Sequence, residues 1–589
     1  MNFTEENPLF VRTNEVLLKE NDQWLYFSNP HQIISAEKLE DVLPALREIE
    51  RLIEVNGWYA AGFLSYEAAS GFDSTLQTKP AIGFSYLWFG LYPKPHIVIL
   101  PKPQQRKEVL EWRPTIDHDI YETVIAKIKD SISEGKTYQV NYTMHLQANF
   151  SGDAWDFFLH LAQNQNDYAA YIDTGRYAIC SASPELFFQL GGNTITCRPM
   201  KGTAKRGRTN LEDDEQSEWL KNSEKNRAEN VMIVDMVRND LGKIAEVGSV
   251  YVPHLFETER YPTLWQMTST VTAKTKASLV DIFKALFPSA SITGAPKVGT
   301  LKIIAELESA PRRIYTGTIG YISPRRKASF NVAIRTMLVD QQNQKAEYGV
   351  GGGIVWDSDS TDEYTEALLK AQVLVQRTLP FSLLETILWT PEERFFLQEK
   401  HTTRMLDSAA YFDIPITKEK LEEYLKKISA EFRAPQRIRL LLDQAAKLDY
   451  EIHPIEFTKT IQPLRAVLAK EPVDSDNVFL FHKTTQRDIY ESAREGFEEF
   501  DDVLLYNELG ELTEFTIGNL VVELNSQLLT PPISCGVLAG TFRAHLVKTG
   551  QVLERTIPID QLINCTKIFR VNSIRKWQRV QIQNSLQNL

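Results

Sequence analysis

The alternation of hydrophobic and polar residues along the chain predicts a mixture of strands and helices. Residues 37–57 and 117–135 have the pattern of helices. Residues 137–150 alternate with a period of two, which is typical of a half-buried strand. Three short apolar runs indicate further strands, at residues 24–29, 81–90 and 95–101.

The same patterning places a boundary near residue 380. A helical pattern over residues 363–378 runs into Pro380, and proline is a natural end for a helix. A new pattern of strands and helices then begins, with a strand predicted at residues 436–443. We therefore expect two catalytic units, residues 1–378 and residues 382–589.

Composition narrows the class of protein. The chain has 589 residues, is 43% hydrophobic and 24% charged, and is therefore ordinary globular material. A net charge of −12 gives no reason to expect nucleic acid or an anionic membrane as a partner. No apolar run approaches the ~20 residues needed to cross a bilayer, and the N-terminus does not resemble a signal peptide. We expect a soluble, cytoplasmic enzyme.

The cysteines give no support to a disulfide framework or a zinc site. The sequence holds 4 cysteines, which are too few and too scattered for either. They are Cys180, Cys197, Cys535 and Cys565.

Four segments combine charged residues with glycine or proline turns. They are SASPELFF at 181–188, CRPMKGTAKRG at 197–207, and residues 227–245 and 291–300. Residues 330–337 and 348–372 follow them. In this order all six segments resemble the chorismate-utilising family, which includes anthranilate synthase large subunits, aminodeoxychorismate synthase component I, and isochorismate and salicylate synthases. The resemblance is strong over residues 115–375 and weak over the first hundred. It implies an α+β fold for the first unit, a large chorismate-binding domain of β-sheets with packed helices.

Three glutamates are candidates for a magnesium site. Glu363 and Glu366 lie one turn apart on a predicted helix, and Glu229 opens another. Carboxylates suit Mg²⁺, which keeps waters and accepts substrate oxygens. By resemblance, Glu229 and Glu366 match glutamates that hold the ring carboxylate of chorismate through magnesium. Without the resemblance, Glu229 and Glu366 would fit a solvated helix face. Glu363 fits equally well as the last residue of a capping box that begins at Ser360. Asn226 replaces an acidic residue that is common in the family.

A second group of residues would hold the carboxylates of chorismate. Gly294, Ala295 and Pro296 look like a backbone cradle for an anion, to which Thr293 could add a hydroxyl. We expect Arg335 to lie on a strand, from which a guanidinium can bind a carboxylate with two hydrogen bonds. The glycines assigned to this pocket also fit a tight turn. The family match assigns to it Tyr315, Arg335, Gly351, Gly352 and Gly353.

Lys201 distinguishes between members of the family. Anthranilate synthases resemble the surrounding segment but carry alanine here, whereas aminodeoxychorismate synthases carry a lysine that attacks C2 of chorismate. A lysine can do this only when it is deprotonated, which burial or a nearby cation favours. An ordinary surface lysine is the alternative.

Glu185 matches the family's general acid, which would protonate the departing C4 hydroxyl. Gln139 stands where isochorismate synthases have a lysine that activates water, and Gln266 stands where anthranilate synthases have a histidine. Both residues therefore favour amination of chorismate by ammonia. No cysteine lies in a G-x-C-x-G turn, so we expect ammonia to come from a separate glutamine amidotransferase subunit.

Residues 382–589 resemble fold-type IV pyridoxal-phosphate enzymes, which include aminodeoxychorismate lyase and the branched-chain and D-amino acid aminotransferases. The matching segments are residues 399–412, 481–487, 510–523 and 536–543. The resemblance implies a smaller α/β unit with pyridoxal 5'-phosphate as its cofactor. Enzymes of this type are commonly dimers, so a homodimer is an option.

The resemblance also implies roles for five residues of this unit. Lys483 matches the lysine that forms a Schiff base with the cofactor, and Glu514 matches the carboxylate that pairs with the pyridine nitrogen. Arg404, Thr516 and Thr541 match contacts to the phosphate, with Thr516 contributing its backbone region. Each charged residue taken alone would fit an ordinary surface position.

The joining of the two units suggests consecutive reactions. The product of the first, 4-amino-4-deoxychorismate, would be the substrate of a lyase that removes pyruvate and gives 4-aminobenzoate, a folate precursor. Two alternatives stay open at this point. The first unit could be an anthranilate-type synthase, and the second could be an aminotransferase or an inactive scaffold.

Overall fold

The computed structural model describes residues 9–103, 110–162, 168–371, 381–455 and 462–583. The chain divides into two compact units. The first comprises Met1–Lys205 and Ser217–Arg377, and the second comprises Arg206–Gln216 and Thr378–Leu589. The segment Arg206–Gln216 thus belongs to the second unit, although the sequence around it belongs to the first.

The described part of the first unit contains two ten-stranded sheets. The strands of the first sheet are β1 (Glu15–Glu20), β2 (Gln23–Phe27), β6 (His96–Val98), β7 (Arg113–Pro114), β8 (Gln139–Asn149), β9 (Ala169–Asp173), β10 (Tyr177–Ala182), β16 (Gly294–Ala295), β19 (Thr336–Asp340) and β20 (Lys345–Ile354). The strands of the second sheet are β3 (Gln32–Ala36), β4 (Tyr59–Leu64), β5 (Leu87–Tyr92), β11 (Leu186–Gly191), β12 (Thr194–Arg198), β13 (Met200–Lys205), β14 (Tyr251–Arg260), β15 (Leu264–Lys274), β17 (Thr318–Ser323) and β18 (Lys327–Asn331).

The pairing of β8 brings two glycine-containing segments to one place in the first sheet. β20 runs antiparallel to β8, so that Gly351 lies opposite Thr143 and Gly353 lies opposite Asn141. The short strand β16 pairs with the start of β8, with Gly294 opposite Val140. These are the segments that the sequence assigned to carboxylate binding.

Helices cover the sheets of the first unit. They are α1 (Leu39–Asn56), α2 (Ala69–Phe72), α3 (His118–Ser133), α4 (Ala154–Ala162), α5 (Asn210–Asn222, which begins in the second unit), α6 (Glu224–Gly242), α7 (Leu279–Leu286), α8 (Lys297–Leu307) and α9 (Ser360–Leu369). α6 packs on β13 and β15, and α9 packs on β20. The larger hydrophobic core takes side chains from both sheets and includes the fully buried Phe188, Phe283 and Phe330.

The second unit contains a four-stranded antiparallel sheet and an eight-stranded mixed sheet among its described residues. The smaller sheet comprises β21 (Ser382–Thr390), β22 (Arg394–Phe395), β23 (Gln436–Asp443) and β24 (Leu448–Pro454). The larger comprises β25 (Leu464–Leu468), β26 (Asp502–Tyr506), β27 (Leu512–Phe515), β28 (Gly518–Leu524), β29 (Gln527–Thr530), β30 (Leu553–Glu554), β31 (Lys567–Asn572) and β32 (Lys576–Ile582). Its helices are α10 (Gln398–Tyr411), α11 (Lys418–Ser429), α12 (Asp488–Arg494) and α13 (Thr541–Lys548).

The predicted fold class, mixed sheet and helix with a large first unit and a smaller second one, is confirmed. The helices α1 and α3 and the strands β8 and β23 lie where the hydrophobic pattern places them. The predicted end of the helix near residue 378 lies outside the described residues. Among those that are described, no helix is both long and apolar enough to cross a membrane.

Three local predictions are wrong. α9 is capped by Asp359, whose side chain accepts from the amides of Thr361 and Asp362, so Ser360 is not the cap and Glu363 is not the third residue of a capping box. Glu229 does not open a helix, because Ser223 caps α6 and the helix begins at Glu224.

The third concerns Arg335. It lies between β18 and β19 rather than on a strand, with a φ of 49°. The chain turns there, since the backbone carbonyl of Arg335 accepts a hydrogen bond from the amide of Ala182 on β10.

Candidate active sites

The first candidate site is built around Lys201, on β13. Its side chain is partly buried, and its Nζ lies 3.1 Å from the position that a β-carbon on Gly353 would take. Burial lowers the pKa of Lys201, and the nearby ammonium of Lys370 lowers it further. A lysine in such a place is suited to act as a nucleophile, because more of it is neutral at a given pH.

Carboxylates around Lys201 oppose this effect. In order of decreasing strength they are Glu229, Glu185 and Glu366. The structure therefore brings the predicted nucleophile, the predicted general acid and two predicted magnesium ligands within electrostatic reach of one another.

Glu185 lies in the turn between β10 and β11 and is 3% exposed. The Ser291 hydroxyl donates to its Oε1 at 2.6 Å. Burial raises the pKa of Glu185 to about 7, although the hydrogen bond from Ser291 and the charge of Lys201 both act to lower it. Near neutral pH this carboxyl group is therefore partly protonated and able to donate a proton.

Gln139 is the first residue of β8 and is 2% exposed. Both polar atoms of its side-chain amide are buried, and neither has a hydrogen-bond partner among the described residues. Its Nε2 lies 2.1 Å from the position of a β-carbon on Gly353. An unsatisfied buried amide is costly, so this space beside Lys201 is suited to a polar ligand.

The backbone that carries Lys201 is held by side chains. The Gln266 amide donates to the carbonyl of Gly202 at 2.8 Å, and Asn230 donates to the carbonyl of Lys201 at 3.4 Å. Gly202 has a φ of 95°, which favours glycine. Gln266, noted in the sequence as a replacement for histidine, thus fixes the strand that bears the lysine.

The predicted magnesium ligands occupy two helices. Glu366 Oε1 contacts Lys370 Nζ at 2.9 Å, and Glu363 Oε1 accepts from Ser358 Oγ at 2.7 Å. No group of three or more His, Cys, Asp or Glu side chains that could hold a metal lies in the described part of the chain. Mg²⁺ commonly uses only one or two protein carboxylates together with substrate oxygens and waters, so this set of glutamates is compatible with it.

The predicted cradle, at residues 294–296 with Thr293 before it, is built from backbone. Gly294 has a φ of 142°, and a β-carbon there would lie 2.0 Å from the carbonyl oxygen of Gln139, so that only glycine fits. Thr293 donates its hydroxyl to the carbonyl of Ser289 at 3.1 Å and thereby closes its own turn. Ala295 pairs with Gln139 at the edge of the sheet.

Arg335 and Tyr315 each lie against a residue that the sequence analysis did not single out. The Arg335 guanidinium lies 5.6 Å from the ring centre of Tyr261, and burial lowers its pKa. The ring of Tyr315 packs on Gly349, where a β-carbon would lie 2.1 Å from the tyrosine. Gly351, Gly352 and Gly353 follow on the same strand.

A buried ion pair, which the sequence analysis missed, supports the cradle. Arg312 is 1% exposed and donates to Glu308 through Nε at 2.9 Å and Nη2 at 2.6 Å. Its guanidinium also donates to the carbonyls of Ile292 at 2.9 Å and Asn141 at 2.6 Å. The rule for pairs four residues apart on a helix gave no signal for this pair, because α8 ends at Leu307.

The second candidate site, in the second unit, is built around Lys483. The lysine precedes α12, and its carbonyl accepts from the amide of Leu384 on β21 at 2.8 Å. Burial lowers the pKa of Lys483 to about 8, with the cations Arg404 and Arg487 acting in the same direction.

Glu514, on β27, is 3% exposed, and each of its oxygens has a donor. Tyr490 Oη donates to Oε1 and Asn519 Nδ2 donates to Oε2, both at 2.9 Å. Burial raises the pKa of Glu514 to about 7, against the hydrogen bond from Tyr490. Gly540 approaches closely, since a β-carbon there would lie 1.8 Å from the Asn519 side-chain oxygen.

Arg404 and Thr541 are connected through a buried carboxylate. Arg404 donates to both oxygens of Glu385, at 2.8 and 2.6 Å, and His401 Nδ1 lies 2.6 Å from the same group. His401 Nε2 lies 3.2 Å from the hydroxyl of Thr541, at the start of α13. Burial alone would raise the pKa of Glu385, but Arg404 and His401 hold it at about 2.

Thr516 is already engaged within the protein. Its amide donates to Asp502 at 3.1 Å, and its hydroxyl donates to the same carboxylate. Its carbonyl accepts from Arg487 at 2.6 Å. Neither the amide nor the hydroxyl of Thr516 is therefore free to donate to the phosphate of the cofactor, as the sequence analysis expected.

The donor set fits pyridoxal phosphate. A buried lysine with a lowered pKa and a buried carboxylate that accepts three hydrogen bonds suit the aldehyde carbon and the pyridine nitrogen of the cofactor. Thr541 and Gly540 stand at the start of α13, where backbone amides favour a phosphate.

Four supporting residues lay outside the sequence analysis. Lys370 donates to the carbonyl of Gly351 at 2.9 Å, and its spacing of four residues from Glu366 was a usable signal. The sequence held no such signal for Ser291 or Arg487, because their partners are distant in the chain. Glu385, likewise, precedes its partner Arg404 by 19 positions.

Comparison with known proteins agrees with this picture. Residues 13–376 match the model of the chorismate binding enzyme family, and residues 382–582 match that of class IV amino-transferases. The class IV match implies pyridoxal phosphate as the cofactor of the second unit.

Curated relatives resemble part of the first unit. Aminodeoxychorismate synthase component 1 of Klebsiella aerogenes is 40% identical over 45% of this chain and 59% of its own. The Escherichia coli protein of that name is 38% identical with the same coverage. Aminodeoxychorismate synthase of Streptomyces griseus is 39% identical over 60% of this chain and 46% of its own. The chain thus spans about half the length of these relatives.

Solved structures share the fold of the first unit. Anthranilate synthase component I from Streptococcus pneumoniae has a TM-score of 0.53 and 25% identity, covering 64% of this chain and 95% of its own. The menaquinone-specific isochorismate synthase of Escherichia coli has a TM-score of 0.50 and 18% identity, covering 62% and 89%. The second of these comparisons concerns the fold alone.

Replacement of Arg312 tests the buried ion pair. Arg312→Met should destabilise the protein by about 3–5 kcal/mol, because Glu308 then stays buried without its cation. The fall in thermal unfolding midpoint measures this. Adding Glu308→Gln should restore part of the loss. Arg51→Met, which breaks an exposed pair with Glu48 on α1, should cost less than about 1 kcal/mol. Equal losses in both single variants would contradict the prediction.

Proposed function

We propose, since the chain belongs to the chorismate binding enzyme family, that its first unit converts chorismate and ammonia to 4-amino-4-deoxychorismate. We further propose that the second unit removes pyruvate from this product and releases 4-aminobenzoate, which supplies folate synthesis. The observation that carries the first proposal is that Lys201, whose pKa is lowered, lies within electrostatic reach of Glu185, whose pKa is raised to about 7.

The two pKa shifts suit a substitution at the chorismate ring. Neutral Lys201 would attack C2 with its nitrogen lone pair, the ring double bond would shift, and the C4 hydroxyl would leave as water with a proton from Glu185. Ammonia would then attack C4, the double bond would shift back, and Lys201 would be expelled from C2. Each step needs one of the two residues in the less common protonation state, which burial favours.

The surrounding residues support roles in binding. Glu229 and Glu366 would hold the magnesium ion, which supplies positive charge for the ring carboxylate when bound, with Glu363 beside them. Residues 293–295 and 351–353 would hold carboxylates through their backbone, with Arg335 and Tyr315 alongside. The unsatisfied amide of Gln139 is available to a polar group beside Lys201.

The second unit supports a reaction that depends on pyridoxal phosphate. That cofactor, when bound, withdraws electrons from a substrate amine. Lys483 would carry it and would afterwards move a proton, Glu514 would hold its ring nitrogen, and Arg404 and Thr541 would lie toward its phosphate. An aminotransferase is the second candidate, favoured by the name of the matching family.

The partner of the first unit would be a glutamine amidotransferase. The name component 1, borne by the Klebsiella and Escherichia relatives, supports a separate subunit that supplies ammonia. A cytoplasmic location and a homodimer stay predictions from the sequence.

Lys201→Ala tests the covalent step. Purified protein would be incubated with chorismate, Mg²⁺, ammonium and pyridoxal phosphate, and the products identified by mass spectrometry. The wild type should give 4-aminobenzoate and pyruvate. The variant should lose the covalent adduct and more than about a hundredfold of its amination rate. Lys205→Ala, an exposed position on the same strand, is the control. Anthranilate as the wild-type product, or unchanged kinetics in Lys201→Ala, would refute the assignment.

Ser291→Ala tests the role of Glu185 through pH. Glu185 must be protonated to act as an acid, so activity should fall as pH rises through its pKa. The Ser291 hydroxyl stabilises the ionised carboxylate, and its loss raises the pKa. The alkaline limb of kcat/KM should therefore move up by about one pH unit. Ser131→Ala, on α3, should leave the limb in place. A limb that does not move, or moves down, would rule out Glu185 as the titrating acid.

Lys483→Ala separates the two units. The variant should lose the absorbance of lysine-bound pyridoxal phosphate and the release of 4-aminobenzoate, while 4-amino-4-deoxychorismate still accumulates. Lys548→Ala, exposed on α13, should behave as the wild type. A Lys483→Ala protein that kept the absorbance would sink the assignment of this lysine. Wild-type protein that binds the cofactor but transfers an amino group would favour the aminotransferase.

A further inference from the structure

The segment Arg206–Gln216 is built into the second unit by buried contacts. The Arg206 guanidinium donates to Asp213 at 2.7 Å and lies 4.4 Å from the ring centre of Tyr411. Tyr411 Oη donates to the carbonyl of Gly207 at 2.7 Å. The side chain of Asp213 is 2% exposed. Gly207 and Asp213 of the segment are therefore buried within this unit.

The segment also reaches the residue that precedes Lys483. His482 is 5% exposed, and its Nε2 lies 3.1 Å from the carbonyl oxygen of Arg208. Its Nδ1 lies 2.9 Å from Ser408 Oγ on α10. Its ring packs on Tyr411 with centres 4.4 Å apart.

These contacts determine which ring nitrogen carries the proton. A carbonyl oxygen can only accept, so Nε2 donates to Arg208. In the neutral ring Nδ1 then accepts from the Ser408 hydroxyl. Burial lowers the pKa of His482 to about 4, in agreement with the neutral form.

We propose that the Arg208 carbonyl and His482 position Lys483, so that residues from the middle of the chain complete the pyridoxal-phosphate site of the second unit. The lysine backbone is fixed on both sides, by the His482 side chain before it and by the hydrogen bond from Leu384 to its own carbonyl. His482 and Arg208 are 274 positions apart in the sequence. His482 is a positioning residue and does not touch the reacting atoms.

The inference rests on the proposed role of Lys483 and adds to it. It implies that residues 382–589 are not a complete unit by themselves, because the partner of His482 lies outside them. A lysine held less firmly would form its bond to the cofactor less readily and would titrate at a different pH.

The test uses full-length variants. His482→Leu removes both hydrogen bonds at similar volume, and His482→Gln keeps an amide that can donate to Arg208. The pH at which the lysine-bound cofactor absorbance titrates and the dissociation constant of pyridoxal phosphate are measured. His482→Leu should shift the titration and weaken cofactor binding by about tenfold, with His482→Gln intermediate. His453→Leu, a histidine on β24, should match the wild type. Formation of 4-amino-4-deoxychorismate by each variant reports that the first unit is folded.

The outcomes separate this inference from the proposed function. If His482→Leu keeps the wild-type titration and cofactor affinity, the positioning role is overturned. If His482→Leu loses the cofactor entirely, His482→Gln decides, since recovery with a shifted titration supports the hydrogen bond and no recovery overturns it. Ser408→Ala, which spares the Arg208 bond, should shift the titration less than His482→Leu. Absence of lysine-bound cofactor in the wild type would instead refute the role of Lys483 itself.

Discussion

Burial of ionisable side chains is the physical constraint on which both candidate sites depend. A charge removed from water needs a partner, and the partners fix the backbone around it. In the first unit Glu308 holds Arg312, which then holds the carbonyls of Ile292 and Asn141. These carbonyls belong to the strands and turns that form the cradle. In the second unit Glu385 holds Arg404 and His401 in the same way.

The pKa shifts of the side chains proposed to react follow one pattern. Burial favours the neutral form of an acid and of a base alike, so it raises the pKa of Glu185 and Glu514 to about 7 and lowers that of Lys483 to about 8. Lysine and carboxylic acid thus approach one another in proton affinity, which is the condition for exchanging protons near neutral pH. Ser291 and Tyr490 act against the shift by donating to the carboxylates. The neighbouring hydroxyl therefore sets where in the pH range each acid titrates.

The sequence predicted regular elements well and local geometry less well. Periodicity alone placed β23 at residues 436–443. It could not choose between Asp359 and Ser360 as the cap of α9, because both residue types are good caps and only the turn before them decides. Periodicity also could not predict that Arg335 lies in a left-handed turn. Nor could it predict that the Thr516 hydroxyl donates a hydrogen bond to Asp502. The grouping of Lys201 with Glu185 and Glu366 was predicted from resemblance, since no local pattern joins residues so far apart.

The segment 206–216 shows why linear patterning fails at domain boundaries. Its sequence continues from β13, and nothing in its composition marks a change of unit. Two hydrogen bonds tie it to the second unit: Arg206 donates to the carbonyl of Tyr411, and the carbonyl of Arg208 accepts from His482. These partners follow 205 and 274 positions later in the chain. Residues 382–589 alone would lack the segment 206–216. Tyr411 would then be exposed, and His482 would have no acceptor for its Nε2. The second unit is thus defined by its buried contacts rather than by its place in the sequence.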